Sequence, residues 1–231
     1  MQTMQAENKR SLLTAPNSLP LVAPSILSAD FADLGNECEK TICAGADLLH
    51  LDVMDGHFVP NLTMGPALCS SLRNRMPDVY LDVHLMVNKP MDYIKSFADA
   101  GCNLFTGHIE AEGDPIELAN AIHDAGMDAG LAINPPTDVE KILPYIEAFD
   151  LILVMSVNPG FSGQAFMPQV LSKVDIISEK LRPNQRLQMD GGVGPKTCEA
   201  CRDAGCDVLV AASAIFGTDN YEKAIAGLRG E

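Results

Sequence analysis

Two apolar segments carry histidine and aspartate two residues apart, and a third ends in aspartate. The stretch Leu48-Leu49-His50-Leu51-Asp52-Val53-Met54-Asp55-Gly56 is a hydrophobic run broken by polar groups and closed by a glycine-containing turn. In extended backbone alternate side chains share a face, so His50, Asp52 and Met54 point one way while Leu49, Leu51 and Val53 point the other. A histidine and a carboxylate on a buried face are costly unless each has a partner. Asp82-Val83-His84 repeats the device, and Asp190-Gly191-Gly192 adds a further carboxylate. These groups can meet only if their strands are neighbours around one mouth.

Brought together, the imidazoles of His50 and His84 and the carboxylates of Asp52 and Asp190 form a mixed nitrogen and oxygen donor set. Such a set suits one divalent metal ion, and zinc, iron(II), manganese or cobalt better than calcium or magnesium. Asp82, two residues before His84, is the candidate partner for the back of that ring. The bland alternative is two core histidines, each satisfied by a nearby aspartate; two such strands plus a third aspartate on one rim favour the metal. Asp52 and Asp190 can also act as an acid/base pair. One removes a proton α to a carbonyl, the other returns it to the opposite face, and the metal steadies the ene-diolate oxygen. That both serve only as ligands stays open at this level.

The elements that must position these groups follow from the patterning. Eight short apolar strands alternate with eight helical patterns, beginning at Leu21 and ending in a helix from Tyr221 to Leu228. This spacing predicts an α/β fold, a closed (β/α)₈ TIM barrel, in preference to a doubly wound open sheet. His50, Asp52, His84 and Asp190 then fall at the carboxyl ends of strands two, three and seven, the face where barrels carry their chemistry. Asp138 is expected to cap a short helix after strand five. Two glycine-bearing turns and one of small residues follow neighbouring strands on the same face: Asn158-Pro159-Gly160-Phe161-Ser162-Gly163, Gly191-Gly192 and Ala211-Ala212-Ser213. Backbone N–H groups in such turns can hold a phosphate. Ser25 and His108 end strands one and four; Ser25 can donate to a substrate oxygen, and His108 reads as structural. Met54, Met86 and Met155 stand near the rim, either as core filler or as a thioether lining beside a carbanion.

Bulk properties narrow the classes. A chain of 231 residues with 47% apolar content can build one barrel. A formal charge of −15 argues against non-specific nucleic-acid binding and against adhesion to acidic membranes. Seven scattered cysteines, including Cys198 and Cys201, read as buried thiols of a reducing compartment, hence a cytoplasmic protein. Residues 1–19 lack the apolar core of a signal peptide and read as a disordered extension, with residues 20–231 as a single catalytic barrel.

Taken together, Ala23-Pro24-Ser25-Ile26-Leu27-Ser28-Ala29-Asp30-Phe31, the His50–Gly56 run, Asp82–Val87, Met155–Gly160 and Asp190-Gly191-Gly192-Val193 resemble the ribulose-phosphate 3-epimerase family. The resemblance implies a ribulose-phosphate-binding barrel that interconverts D-ribulose 5-phosphate and D-xylulose 5-phosphate at C3, within the pentose phosphate pathway. It implies His50, Asp52, His84 and Asp190 as metal ligands, with Asp52 and Asp190 as the acid/base pair. Around the phosphorylated ketose it implies Ser25, His84, Gly160, Phe161, Ser162, Gly163, Gly191, Gly192, Ala212 and Ser213, with the three methionines over the reacting carbons. It also implies a homo-oligomer. Ala212 and Ser162 stand where the family usually has glycine, and Gly107 where it has an aromatic residue. Three other readings are an allulose 6-phosphate 3-epimerase, a decarboxylating lyase and a barrel that binds a sugar phosphate without catalysis. The lyase would need a lysine where Met54 stands.

Overall fold

The computed structural model describes residues 12–231. Eight strands form the sheet: β1 Leu21–Pro24, β2 Leu49–Met54, β3 Leu81–Met86, β4 Leu104–His108, β5 Asp128–Ile133, β6 Leu151–Met155, β7 Arg186–Asp190 and β8 Val208–Ala211. Every ladder is parallel, and the order runs β1-β8-β7-β6-β5-β4-β3-β2. The two remaining edges meet at a parallel bridge between Ser25 and His50. At the opposite end the Asp47 N–H donates to the Val22 carbonyl at 3.1 Å, and the Val22 N–H to Asp47 Oδ2 at 2.8 Å. The sheet is thereby a nearly closed (β/α)₈ barrel.

Helices cover the outside because crossovers between parallel strands must pack an apolar stripe against the sheet. Pro66 and Pro115 open two of them at the first turn, where a missing N–H costs nothing. Asp114 caps the second, accepting the N–H of Ile116 at 2.8 Å and of Glu117 at 3.1 Å. The crossover from β5 to β6 differs: it holds only 3₁₀ turns, Val139–Lys141 and Leu143–Ala148. Pro144 opens the second of them at its first turn, where a missing N–H costs nothing. Asp138 precedes the first of these turns, but its side chain caps nothing, contrary to the expectation from sequence.

The alternation seen in the strands separates two apolar layers. Leu49, Leu51 and Val53 of β2, like Ile152 and Val154 of β6, pack outward against the helices. Leu151 and Leu153 of β6 face inward with Leu21, Leu48, Leu104 and Val208, filling the lower part of the barrel. Leu13 joins this inner cluster at 1% exposure. Residues 12–14 of the expected extension form a helical turn and 15–19 lead on without regular structure, while 1–11 lie outside the described residues. No helix among the described residues is long and apolar enough to cross a membrane. The seven cysteines are free, six of them buried, Cys198 and Cys201 included.

Candidate metal centre and acid/base pair

Above the apolar filling the barrel interior turns polar. His50 and Asp52 on β2, Asp82 and His84 on β3 and Gln188 on β7 are all buried. One ligand atom from each of His50, Asp52, His84 and Asp190 lies within 4.8 Å of the other three. His50 Nε2 is 3.5 Å from Asp52 Oδ1 and 3.9 Å from Asp190 Oδ2. His84 Nδ1 is 3.4 Å and 3.7 Å from the same two oxygens. Both nitrogens are buried without a hydrogen-bond partner. Two orphaned imidazole nitrogens facing two carboxylates are what an ion-binding site needs, because a buried polar atom left unpaired is otherwise a penalty. These four side chains could therefore hold a divalent metal ion.

The groups behind the ligands set their direction. Asp82 does not serve His84, as sequence spacing suggested; its Oδ2 lies 2.7 Å from His50 Nδ1 and accepts from Gln188 Nε2 at 2.7 Å. The reason is geometric. Residues i and i+2 of one strand are roughly 6.6 Å apart, whereas register partners on adjacent strands are about 4.8 Å apart. His50 is the register partner of Asp82, and Asp52 that of His84. His84 instead meets His108, Nε2 to Nε2, at 2.7 Å, and His108 Nδ1 lies 3.1 Å from Glu110 Oε2. Spacing alone gave no sign of Glu110 or Gln188; inward alternation on β7, two residues before Asp190, is the signal that marks Gln188.

Charge is distributed unevenly over this cluster. Burial pushes the Asp190 carboxyl up to about 7, reinforced by the negative charge of Asp52. Burial acts on Asp52 too, but His50 and His84 outweigh it and hold that carboxyl well below the usual range. For His50, burial favours the neutral ring, yet Asp82 and Asp52 overcome it and raise its pKa. His84 is lowered by burial and by the charge of His50, and burial brings His108 down to about 4. The two carboxyls are thus driven in opposite directions, Asp190 toward holding a proton and Asp52 toward staying ionised. Ser25 Oγ donates to Asp52 Oδ2 at 2.5 Å.

An open cavity with about 460 Å³ of empty space lies over the cluster. Ser25, Asp52 and Asp190 line its floor, and Met54, Met86 and Met155 form apolar wall. The far side is made by Gly160, Phe161, Ser162, Gly163, Gly191, Gly192 and Ala212. Ser213 begins the short helix Ser213–Phe216, is exposed, and does not line the cavity. Gly192 has φ +62°, and a Cβ there would stand 2.6 Å from the Phe166 nitrogen. A glycine is required where two backbone segments approach so closely. Asn61 Nδ2 donates to the Gly160 carbonyl at 2.7 Å, tying the loop after β2 to the loop after β6.

The chain can be set beside known proteins on this basis. The model of the Ribulose-phosphate 3 epimerase family matches residues 21–216. A protein of Schizosaccharomyces pombe named ribulose-phosphate 3-epimerase is 45% identical over 210 residues, covering 90% of this chain and 92% of its own. Its namesake in Bacillus subtilis is 44% identical over 213 residues, covering 90% and 98%. Among solved structures, 3-keto-L-gulonate-6-phosphate decarboxylase from Vibrio cholerae superposes with a TM-score of 0.68 at 13% identity, covering 92% of this chain and 97% of that one. Phosphoribosyl anthranilate isomerase from Thermotoga maritima gives 0.66 at 20% identity, covering 91% and 99%. At such identities the likeness is one of fold.

Proposed function

Since the chain belongs to the ribulose-phosphate 3-epimerase family, we propose that it is an isomerase that inverts C3 of D-ribulose 5-phosphate to give D-xylulose 5-phosphate, a step of the pentose phosphate pathway. The observation that carries this reading is the pair Asp52 and Asp190, two carboxyls of opposed proton affinity beside two unpaired imidazole nitrogens. His50, Asp52, His84 and Asp190 are the ligands in this reading. A divalent ion held by them, zinc, iron(II), manganese or cobalt, acts as a Lewis acid that lowers the cost of negative charge on the substrate oxygens.

The remaining work falls to the side chains. The proton on C3 of one epimer passes to one carboxylate, and the planar ene-diolate receives a proton on its opposite face from the other carboxylic acid; in reverse the roles exchange. Asp52 and Asp190 fill these two roles, each able to ligate through one oxygen and to take or give the proton through the other. Ser25 fixes the Asp52 carboxylate by its hydroxyl. Met54, Met86 and Met155 cover the reacting carbons without offering a competing proton. The backbone of Gly160–Gly163 and Gly191–Gly192 receives the phosphate, with Ala212 beside it. Residues 20–231 act as one catalytic barrel, and the family resemblance extends the proposal to a cytoplasmic homo-oligomer.

The test is proton exchange followed by NMR in deuterated water. D-Ribulose 5-phosphate should acquire deuterium at C3 as D-xylulose 5-phosphate appears, faster than D-allulose 6-phosphate reacts at equal concentration. Preference for the hexulose would move the assignment to the allulose phosphate. Binding of both without exchange at C3 would leave only a sugar-phosphate-binding barrel.

A further inference from the structure

His84 and His108 approach through their Nε2 atoms at 2.7 Å, a separation that requires one proton between them. His84 Nδ1 is the atom that faces Asp52 and Asp190 and lacks a partner. If Nδ1 is to offer a lone pair to an ion, His84 must carry its proton on Nε2. That proton then points at His108 Nε2, which must be bare, so His108 carries its own proton on Nδ1. Glu110 Oε2 is 3.1 Å from that Nδ1. The other Glu110 oxygen, Oε1, accepts the Asn134 N–H at 2.9 Å. Lys173 holds the same loop, donating to the carbonyls of Asn134 and Pro135 at 3.0 and 2.6 Å and to that of Thr137.

We infer that Glu110 is a positioning residue: through His108 it fixes the tautomer of His84 that exposes a bare Nδ1 to the ion. The inference rests on the metal reading above. His50 gets the same service from Asp82 in a single hydrogen bond, whereas His84 gets it at one remove, from a carboxylate at the rim.

Glu110→Gln tests it sharply because the change keeps shape. The amide oxygen is needed by the Asn134 N–H, so the amide NH₂ faces His108 Nδ1 and turns it from donor to acceptor. His108 then donates from Nε2, and His84 is left protonated at Nδ1. Zinc affinity of the full chain, measured by competition with a chromophoric chelator, should fall roughly 10–100-fold, the usual cost of losing a group that orients a ligand. His108→Phe, which keeps a ring but no acceptor, should fall in the same range. Glu112→Gln removes an equal charge from an exposed side chain 3.8 Å from Lys89 and should stay within about twofold. A second readout needs no variant: in the zinc-loaded parent, ¹⁵N shifts should show the His108 proton on Nδ1. Parent-like zinc affinity in Glu110→Gln, or a His108 proton on Nε2, overturns the relay while leaving the metal site standing. Failure of the parent itself to bind zinc removes the metal reading and the relay with it.

Discussion

The ligand cluster and the glycine cradle face the same cavity, yet they are built by opposite means. His50, Asp52, His84 and Asp190 stand on β2, β3 and β7, whose backbones are locked by parallel ladders and whose side chains alternate with a fixed period. The cradle stands on loops, where Gly191 and Gly192 take φ values of +116° and +62° and pack against Val157 and the Phe166 backbone. In the first region a side chain can be exchanged while the backbone stays. In the second the backbone is itself the binding group in the proposed function, so one added methyl would displace it. Chemistry and anchorage should accordingly separate on mutation.

The sharpest break between the regions comes from Asp52→Asn and Asp190→Asn. Each should lower kcat by on the order of 10²–10⁴ with the far-ultraviolet circular dichroism spectrum unchanged, the range for losing a general acid or base; near-parental turnover in both would end the two-base scheme. Gly192→Ala should act the other way. Forcing a Cβ to within 2.6 Å of the Phe166 nitrogen at positive φ costs about 1–3 kcal/mol of stability, and the displaced loop should raise KM for the phosphorylated ketose while kcat stays near parental. A fall in kcat at constant KM would show that the cradle does not anchor the substrate.

Metal affinity sharpens the comparison through pH. Asp190, pushed up to about 7 by burial and by Asp52, must lose its proton to become a ligand, and His50, raised by Asp82 and Asp52 against burial, must do the same. Affinity should then rise with pH, by about tenfold per unit for each proton displaced, and the Asp190 contribution should level off above about pH 7. Zinc titrations between pH 5 and 8 would show this; a flat profile contradicts it. The smallest effect is expected at Ala212→Gly. Ala212 lines the cavity at φ −106° and ψ −94°, outside the helical and extended regions, so glycine fits there without strain and KM should move by no more than about twofold.

What the sequence revealed follows the same division. Alternation in the strands exposed the inward faces of His50, Asp52 and His84, because a period of two survives in any strand. It could not reveal who partners whom across strands, since register is a tertiary property. Asp82 therefore reads as a companion of His84 along its own strand but binds His50 across the ladder. His108 reads as structural, yet its ring meets His84 directly, in a diagonal contact between adjacent strands two residues on from the register partner Thr106. Among the loops, Ser213 lies in the turn expected to hold phosphate and opens the helix Ser213–Phe216 next to Ala212, which lines the cavity. The crossover after β5 reads as a short helix capped by Asp138 but holds 3₁₀ turns, and Asp138 makes no side-chain cap.

The central claim is that side chains from three separate strands close on one ion. Diffraction from crystals of the zinc-loaded chain, collected on both sides of the zinc absorption edge, tests it most directly. The account requires one anomalous peak per chain, within bonding distance of His50 Nε2, His84 Nδ1 and an oxygen of each of Asp52 and Asp190. A peak elsewhere, or one that leaves Asp190 outside bonding distance while the histidines bind, would contradict it.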